Sequence, residues 1–163
     1  MRQLWKSVEE VLDYAIAEEQ KAIVTYRAFA SQSVSAEMKR LFAGFAVDET
    51  RHAGKLLSMK RDKSASLAVT AVASLPRPRL PRSADGEELT VGAAYKFAIK
   101  AEKNAADLYT MLGQMSLDPE IQDAFRSLAA DEQGHGAKLV ADLEKRRASA
   151  GFLTKLFRFV TQG

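Results

Sequence analysis

The chain contains the same half twice. Residues 15–59 laid over 98–142 without a gap agree at 14 of 45 positions, an offset of 83 residues. Both histidines of the chain fall inside this repeat, and each closes a Glu-x-x-His: Asp48-Glu49-Thr50-Arg51-His52 and Asp131-Glu132-Gln133-Gly134-His135. At the same offset Glu19 falls on Glu102 and Tyr26 on Tyr109. Four glutamates and two histidines, arranged as two copies of one half-site, are what a two-metal carboxylate centre inside a helical bundle requires.

The periodicity predicts an all-α chain. Val8, Val11, Leu12, Ala15, Ile16, Ala22, Ile23, Tyr26 and Phe29 recur at three- and four-residue spacing, which predicts a first amphipathic helix with Ser7 and Glu10 as a capping box. A turn over Ser31–Ser35 follows, and Ser35 is the N-cap of a second helix ending near Arg61. That helix should carry Met38, Leu41, Phe42, Phe45, Ala46, Leu56 and Leu57 on one side. Pro76, Pro78, Pro81 and Asp85-Gly86 make 62–90 a crossover, with Ala65–Ser74 able to form a short helix. The third helix runs from near Thr90 to about Gln114, and Asp118-Pro119 is an N-cap followed by proline in the first turn. The fourth helix then reaches about Arg147. Gly151 is read as a break before a short extra helix over Phe152–Val160. The expectation is therefore a four-helix bundle over 1–148, built from two antiparallel hairpins, with an amphipathic tail over 149–163.

Hairpin arithmetic lets the six residues meet. Glu19 and Glu49 are equidistant from Val34, and Glu102 and Glu132 from Leu117, each midpoint inside a predicted turn. In an antiparallel hairpin each pair is level, about 22 Å from its turn at 1.5 Å rise per residue. Within Glu-x-x-His the two side chains share one helix face, so both can point at one metal. Carboxylate oxygen with one neutral imidazole per side suits iron, with manganese or zinc as substitutes, over calcium. Asp48 and Asp131 are placed to reach across the bundle, toward His135 and His52 respectively, and to fix the imidazole tautomers; exposed residues pairing with Lys55 or a similar cation are the alternative. Tyr26 and Tyr109, two turns past Glu19 and Glu102, are read either as phenols near the metals or as core aromatics. Glu18, whose repeat partner is Ala101, belongs to the rim.

Composition narrows the chemistry further. Without cysteine there is no disulfide, thiolate zinc site or rubredoxin-type iron in this chain. A net charge of +3 is too mild for a nucleic-acid binder, and the clusters at Lys60–Lys63, Arg77/Arg79/Arg82 and Lys145–Arg147 read as solvated surface. The N-terminus is unlike a signal peptide and Ala65–Leu75 is too short to span a bilayer, so cytoplasm is the expected compartment. Phe152, Leu153, Leu156, Phe157 and Val160 with Lys155 and Arg158 form an apolar stripe. It is expected to dock on the bundle or a second subunit, contact with an anionic membrane being the minor alternative.

One glutamate on helix 1, Glu-x-x-His on helix 2, and the same again on helices 3 and 4 resemble the ferritin-like di-iron carboxylate proteins, the rubrerythrins most closely, over roughly residues 8–145. The resemblance implies Glu19, Glu49, His52, Glu102, Glu132 and His135 as ligands of two irons, with Glu49 and Glu132 bridging. It also implies a homodimer or larger assembly that meets oxidative stress by oxidising ferrous iron with hydrogen peroxide or dioxygen, reset by an external electron donor. Rubrerythrins carry a further glutamate three residues past the helix-3 ligand, where this chain has Ala105, and usually a rubredoxin iron. Those departures bring in a ferroxidase or iron-handling protein as an alternative to the peroxidase. A metal-free helical interaction module is the third reading.

Overall fold

The computed structural model describes Trp5, residues 7–33, 35–62 and 91–160, with side chains through residue 149. Among the described residues there are four helices: α1 Val8–Gln32, α2 Ala36–Arg61, α3 Val91–Met115 and α4 Pro119–Val160. Their starts are chemically marked. Ser7 Oγ accepts from the Glu10 amide at 3.1 Å and Ser35 Oγ from the Met38 amide at 3.4 Å. Asp118 Oδ1 accepts from Glu120 N at 2.8 Å, satisfying a donor that has no partner within its own helix.

α1 packs along α2, and α3 along α4. Lys60 near the end of α2 meets Asp13 near the start of α1, so the first hairpin is antiparallel. Tyr95 near the start of α3 reaches Asp142 just past the middle of the long α4, and the second hairpin is antiparallel too. The hairpins face each other in the same sense: Glu37, at the start of α2, pairs with Lys145 of α4 at 2.8 Å. Consequently α3 begins at the end of the bundle where α2 begins, and α2 and α3 run parallel. Alternation of direction holds around the ring of helices, not along the chain. The link between α2 and α3 must therefore span the length of a 26-residue helix, about 39 Å. Only a long crossover can do so, and this is the ferritin-like four-helix bundle.

Two apolar clusters fill the interior on either side of a polar layer. One is built around Leu12, Leu56, Leu112, Phe125 and Leu128, and it takes in Trp5, whose ring meets Tyr14 edge-on at 4.9 Å. The other is built around Phe42, Phe45, Tyr95 and Leu139. Each fully buried Leu or Phe contributes roughly 1.5–3 kcal/mol, and this offsets the cost of the charged layer between.

Two expectations are corrected. Leu57 is 50% exposed while Leu56 is fully buried, because one residue is 100° of helix rotation and the apolar stripe is only wide enough for Leu56. α4 runs through Gly151 to Val160 without the expected break, so the C-terminal helical segment continues the fourth helix. Glycine inside a helix costs only about 1 kcal/mol against alanine, too little to stop it without a proline or cap. The short helix proposed for Ala65–Ser74, the arginines of the crossover and the side chains of the Phe152–Val160 stripe lie outside the described residues. Among the described residues no helix is long and apolar enough to cross a membrane.

Candidate metal centre

All six repeated Glu and His residues lie in one layer, each no more than 4% exposed. The layer is made by heptad-like placement on four helices: Glu19 from α1, Glu49 and His52 from α2, Glu102 from α3, Glu132 and His135 from α4. Their donor atoms form two groups, Glu19–Glu49–His52–Glu132 and Glu49–Glu102–Glu132–His135, with the atoms of each group within 4.8 Å of one another. Glu49 and Glu132 belong to both. Ring centroids of the two imidazoles are 5.8 Å apart, at 23°.

The nitrogen that faces the carboxylates is Nδ1 in both histidines. His52 Nδ1 is 2.9 Å from Glu49 Oε2 and 2.9 Å from Glu132 Oε1. His135 Nδ1 is 3.2 Å from Glu49 Oε1, 3.4 Å from Glu102 Oε2 and 3.5 Å from Glu132 Oε2. Donors bound to one ion at roughly 2.1 Å, at tetrahedral or octahedral angles, are about 3.0–3.4 Å apart. The spacing is that of ligand atoms around a cation. Four of these atoms, Glu49 Oε1, Glu102 Oε2, Glu132 Oε1 and His135 Nδ1, are buried without a hydrogen-bond partner. Buried polar atoms left so are costly, and a cation between them is the group that would satisfy them. The residues fit a metal.

The far side of each ring is held from the opposite hairpin. His52 Nε2 lies 3.2 Å from Asp131 Oδ2, and His135 Nε2 lies 3.2 Å from Asp48 Oδ2. An ionised aspartate only accepts, so Nε2 donates and a neutral ring presents the Nδ1 lone pair inward. Arg51 spans both aspartates, with Nη2 at 3.1 Å from Asp48 Oδ1 and 3.5 Å from Asp131 Oδ2. Repeat comparison misses this arginine, because its counterpart at the 83-residue offset is Gly134. Lys55, the partner considered from sequence, is displaced in that role by Arg51, one turn from Asp48 on α2.

Both tyrosines are buried and reach across the bundle as well. Tyr26 donates to Glu102 and Tyr109 to Glu19. Each phenol also stacks on a phenylalanine, Tyr26 on Phe42 and Tyr109 on Phe125, so each is a core aromatic whose hydroxyl meets a carboxyl of the layer. Glu18 stays at the rim, pairing with Lys21 at 2.6 Å. Ala105 is partly buried against the apolar cluster.

The electrostatics follow from four carboxylates in a dry layer. Burial, then the charges of Glu132 and Glu49, push the Glu19 carboxyl well above the ordinary range. Burial and Glu132 raise Glu102 to about 8 despite the pull of His135. Glu132 goes the other way, to about 2, because the two imidazoles within 3.5 Å of its carboxylate outweigh its burial. Burial lowers the histidines, but the surrounding carboxylates win, lifting His52 to about 9 and His135 to about 12. Protons thus sit on this cluster where a cation would otherwise balance it.

Comparison with known proteins agrees with the layout. The family model described as Rubrerythrin matches residues 10–143. The chain belongs to the rubrerythrin family. Among solved structures, a Thermotoga maritima protein provisionally described as ferritin-like diiron-carboxylate superposes with a TM-score of 0.71 at 24% identity, over 91% of this chain and 99% of that one. A hypothetical protein from Pyrococcus furiosus gives 0.67 at 27% identity, over 85% and 89%. None of the curated proteins matches this rubrerythrin-family chain.

Proposed function

We propose that the protein is a non-haem di-iron oxidoreductase of rubrerythrin type that reduces hydrogen peroxide or dioxygen with electrons from an external donor. The observation that carries this reading is the sharing of Glu49 and Glu132 between two donor groups, each with its own inward imidazole nitrogen. Glu19 and His52 would hold one ion, Glu102 and His135 the other, and Glu49 and Glu132 would serve both. Bound iron would supply the one-electron redox chemistry that no side chain of this layer offers.

The chain's own residues do the rest. Four carboxylates balance the charge of two divalent ions. Asp48 and Asp131 fix the orientation and tautomer of both imidazoles, so that each would offer its Nδ1 lone pair to bound iron. Tyr26 and Tyr109 hold Glu102 and Glu19 by their outer oxygens, so a carboxylate that shifts during the reaction keeps an anchor. The apolar clusters above and below exclude water from the layer.

A ferroxidase or iron-handling role, with Fe(II) as substrate, is the second reading, and Ala105 favours it. That position offers no carboxylate, and the set that remains is symmetric between the halves. A metal-free interaction module would have to keep protons on several of the four buried carboxylates, at a cost to the bundle. Metal analysis followed by anaerobic Fe(II) loading tests the site. Excess peroxide over limiting Fe(II) then separates the readings: repeated turnover with a reductant supports the oxidoreductase, a single stoichiometric oxidation supports iron handling, and failure to bind iron overturns both. A homodimer is part of the proposal on family resemblance. Sedimentation of the full chain, and of a chain truncated after Ala150, tests the dimer and the tail's part in it.

A further inference from the structure

We propose that Tyr95 is the outer terminus of a one-electron path into the metal layer, running through Phe42 and Tyr26 to Glu102, with Asp142 accepting the phenol proton. The inference rests on the di-iron reading for its purpose, but its chemistry belongs to the chain alone.

The path is a line of touching rings. Tyr26 donates its hydroxyl to Glu102 and stacks on Phe42 with centroids 6.0 Å apart and planes at 21°. Phe42 in turn meets Tyr95 at 5.5 Å. Electron tunnelling weakens exponentially with separation, so rings in contact carry it far better than the aliphatic packing around them. Tyr95 is fully buried itself, yet its hydroxyl leaves the apolar cluster and donates to Asp142. Asp142 is 12% exposed and is bound by the Arg146 Nε at 2.6 Å. The line therefore ends at a charged, partly solvated pair, where an external donor can approach.

Packing alone does not call for this ending. At the 83-residue offset Tyr95 corresponds to Leu12 and Asp142 to Met59. The other half of the repeat fills the equivalent space with aliphatic side chains, so the bundle does not need a phenol and a carboxylate there. Phenylalanine would satisfy the ring contacts equally. What remains is the hydroxyl, its acceptor Asp142 and the Arg146 Nε that donates to the hydroxyl at 3.1 Å, and a tyrosine beside a base is the arrangement in which oxidation of the ring need not leave a cation behind. Burial and the Asp142 carboxylate hold the Tyr95 hydroxyl protonated, up to about 12, so the resting residue is the neutral phenol.

The step balances within the chain plus one reductant. Tyr95 gives one electron inward through Phe42 and Tyr26 to the layer while hydrogen peroxide, the two-electron oxidant, is being consumed there. Its O–H bond breaks, the proton passes to the Asp142 carboxylate, and a neutral tyrosyl radical remains. A soluble one-electron reductant then supplies an electron to Tyr95, and the proton returns from Asp142. Arg146 makes Asp142 a weaker base, but an oxidised phenol is a far stronger acid than any carboxylic acid, so transfer still runs toward Asp142. Two such passes deliver the electrons that one peroxide consumes.

The test uses the full-length protein with Zn(II) added, which is redox-silent, and a photogenerated ruthenium(III) tris-bipyridyl oxidant. Electron paramagnetic resonance after freeze-quench should show a tyrosyl radical in the wild type. Most of it should be lost in Tyr95→Phe and retained in Tyr14→Phe, and Asp142→Asn should lower the yield severalfold. A radical yield independent of Tyr95 overturns the proposal. In iron-loaded protein mixed with hydrogen peroxide and freeze-quenched, the wild type should show a tyrosyl radical and Tyr95→Phe should lose most of it, with the Fe(II) bound per chain unchanged. An equal radical yield in Tyr95→Phe overturns the path as well. Failure of the chain to bind iron sinks the di-iron reading instead, and the zinc arm still decides the fate of Tyr95.

Discussion

His52 Nε2 on α2 lies 3.2 Å from Asp131 Oδ2 on α4, although the two residues are 79 positions apart. The reciprocal contact, His135 to Asp48, has the same length. Each half of the repeat thus holds the other half's histidine, and the two hairpins are locked at the layer where the donor groups meet. Asp131→Ala or Asp48→Ala should weaken metal binding by roughly 10–100-fold, the usual cost of removing a partner behind a ligating histidine. Competition titration against a chromophoric chelator reads this directly. Affinity unchanged in both variants would remove the aspartates from the site's construction.

Arg51 should matter less than the aspartates that it spans. It is about half exposed, so its charge is screened, and the orientation of each imidazole rests first on its own aspartate. Arg51→Ala should therefore lower metal affinity by clearly less than Asp48→Ala, and by a margin that shrinks with added salt. A loss equal to that of the aspartate variants, insensitive to salt, would make Arg51 a principal support.

Glu49 and Glu132 are common to both donor groups, whereas Glu19 and Glu102 each belong to one. Glu49→Gln should accordingly reduce bound metal at both positions, and Glu19→Gln at one. Metal analysis after loading and gel filtration gives both stoichiometries in one experiment. Loss of metal at a single position in Glu49→Gln would remove Glu49 from its shared place between the two groups.

Tyr26→Phe and Tyr109→Phe keep the ring contacts and remove one hydroxyl each. The cost should be about 1 kcal/mol apiece, the net worth of a hydrogen bond to a buried group, with the partner carboxyl left unanchored. Thermal melts of the chelated single variants check the magnitude. A cost near 3 kcal/mol or more, as for lost core volume, would show that the ring had moved as well.

Proton linkage has a definite sign. Glu102 at about 8 and His52 at about 9 stand above their ordinary 4.5 and 6.5, so between those limits the folded protein binds more protons than the unfolded chain. The stability of chelated protein therefore falls as pH rises from about 5 to about 9. Glu132, lowered to about 2, works in the opposite sense only below its ordinary 4.5, where stability is lost as pH falls. Bound metal replaces the protons, so the gain in Tm on adding Zn(II) should grow with pH over the same interval. Melting curves across that range, with chelator and with zinc, test it, and a gain that shrinks with rising pH would contradict the assignment.

What the sequence determined by itself was whatever depends on local chemistry or on the repeat. Ser7, Ser35 and Asp118 mark helix starts because an N-cap works through amides two and three residues away, and those neighbours are adjacent in the chain. The six repeated glutamates and histidines could be nominated because a hairpin places positions equidistant from its turn side by side. Tertiary structure alone decided what lies between hairpins and outside the repeat. The direction of α3 relative to α2, the span of Arg51 over two aspartates, and the Tyr95–Asp142–Arg146 group all join residues that no local rule relates, and their offset partners carry different chemistry. Leu57 and Gly151 went astray for a related reason. Helix rotation sets which of two adjacent leucines is buried, and one glycine penalises a helix too weakly to end it, so in both cases the answer lay in the packing of the whole bundle.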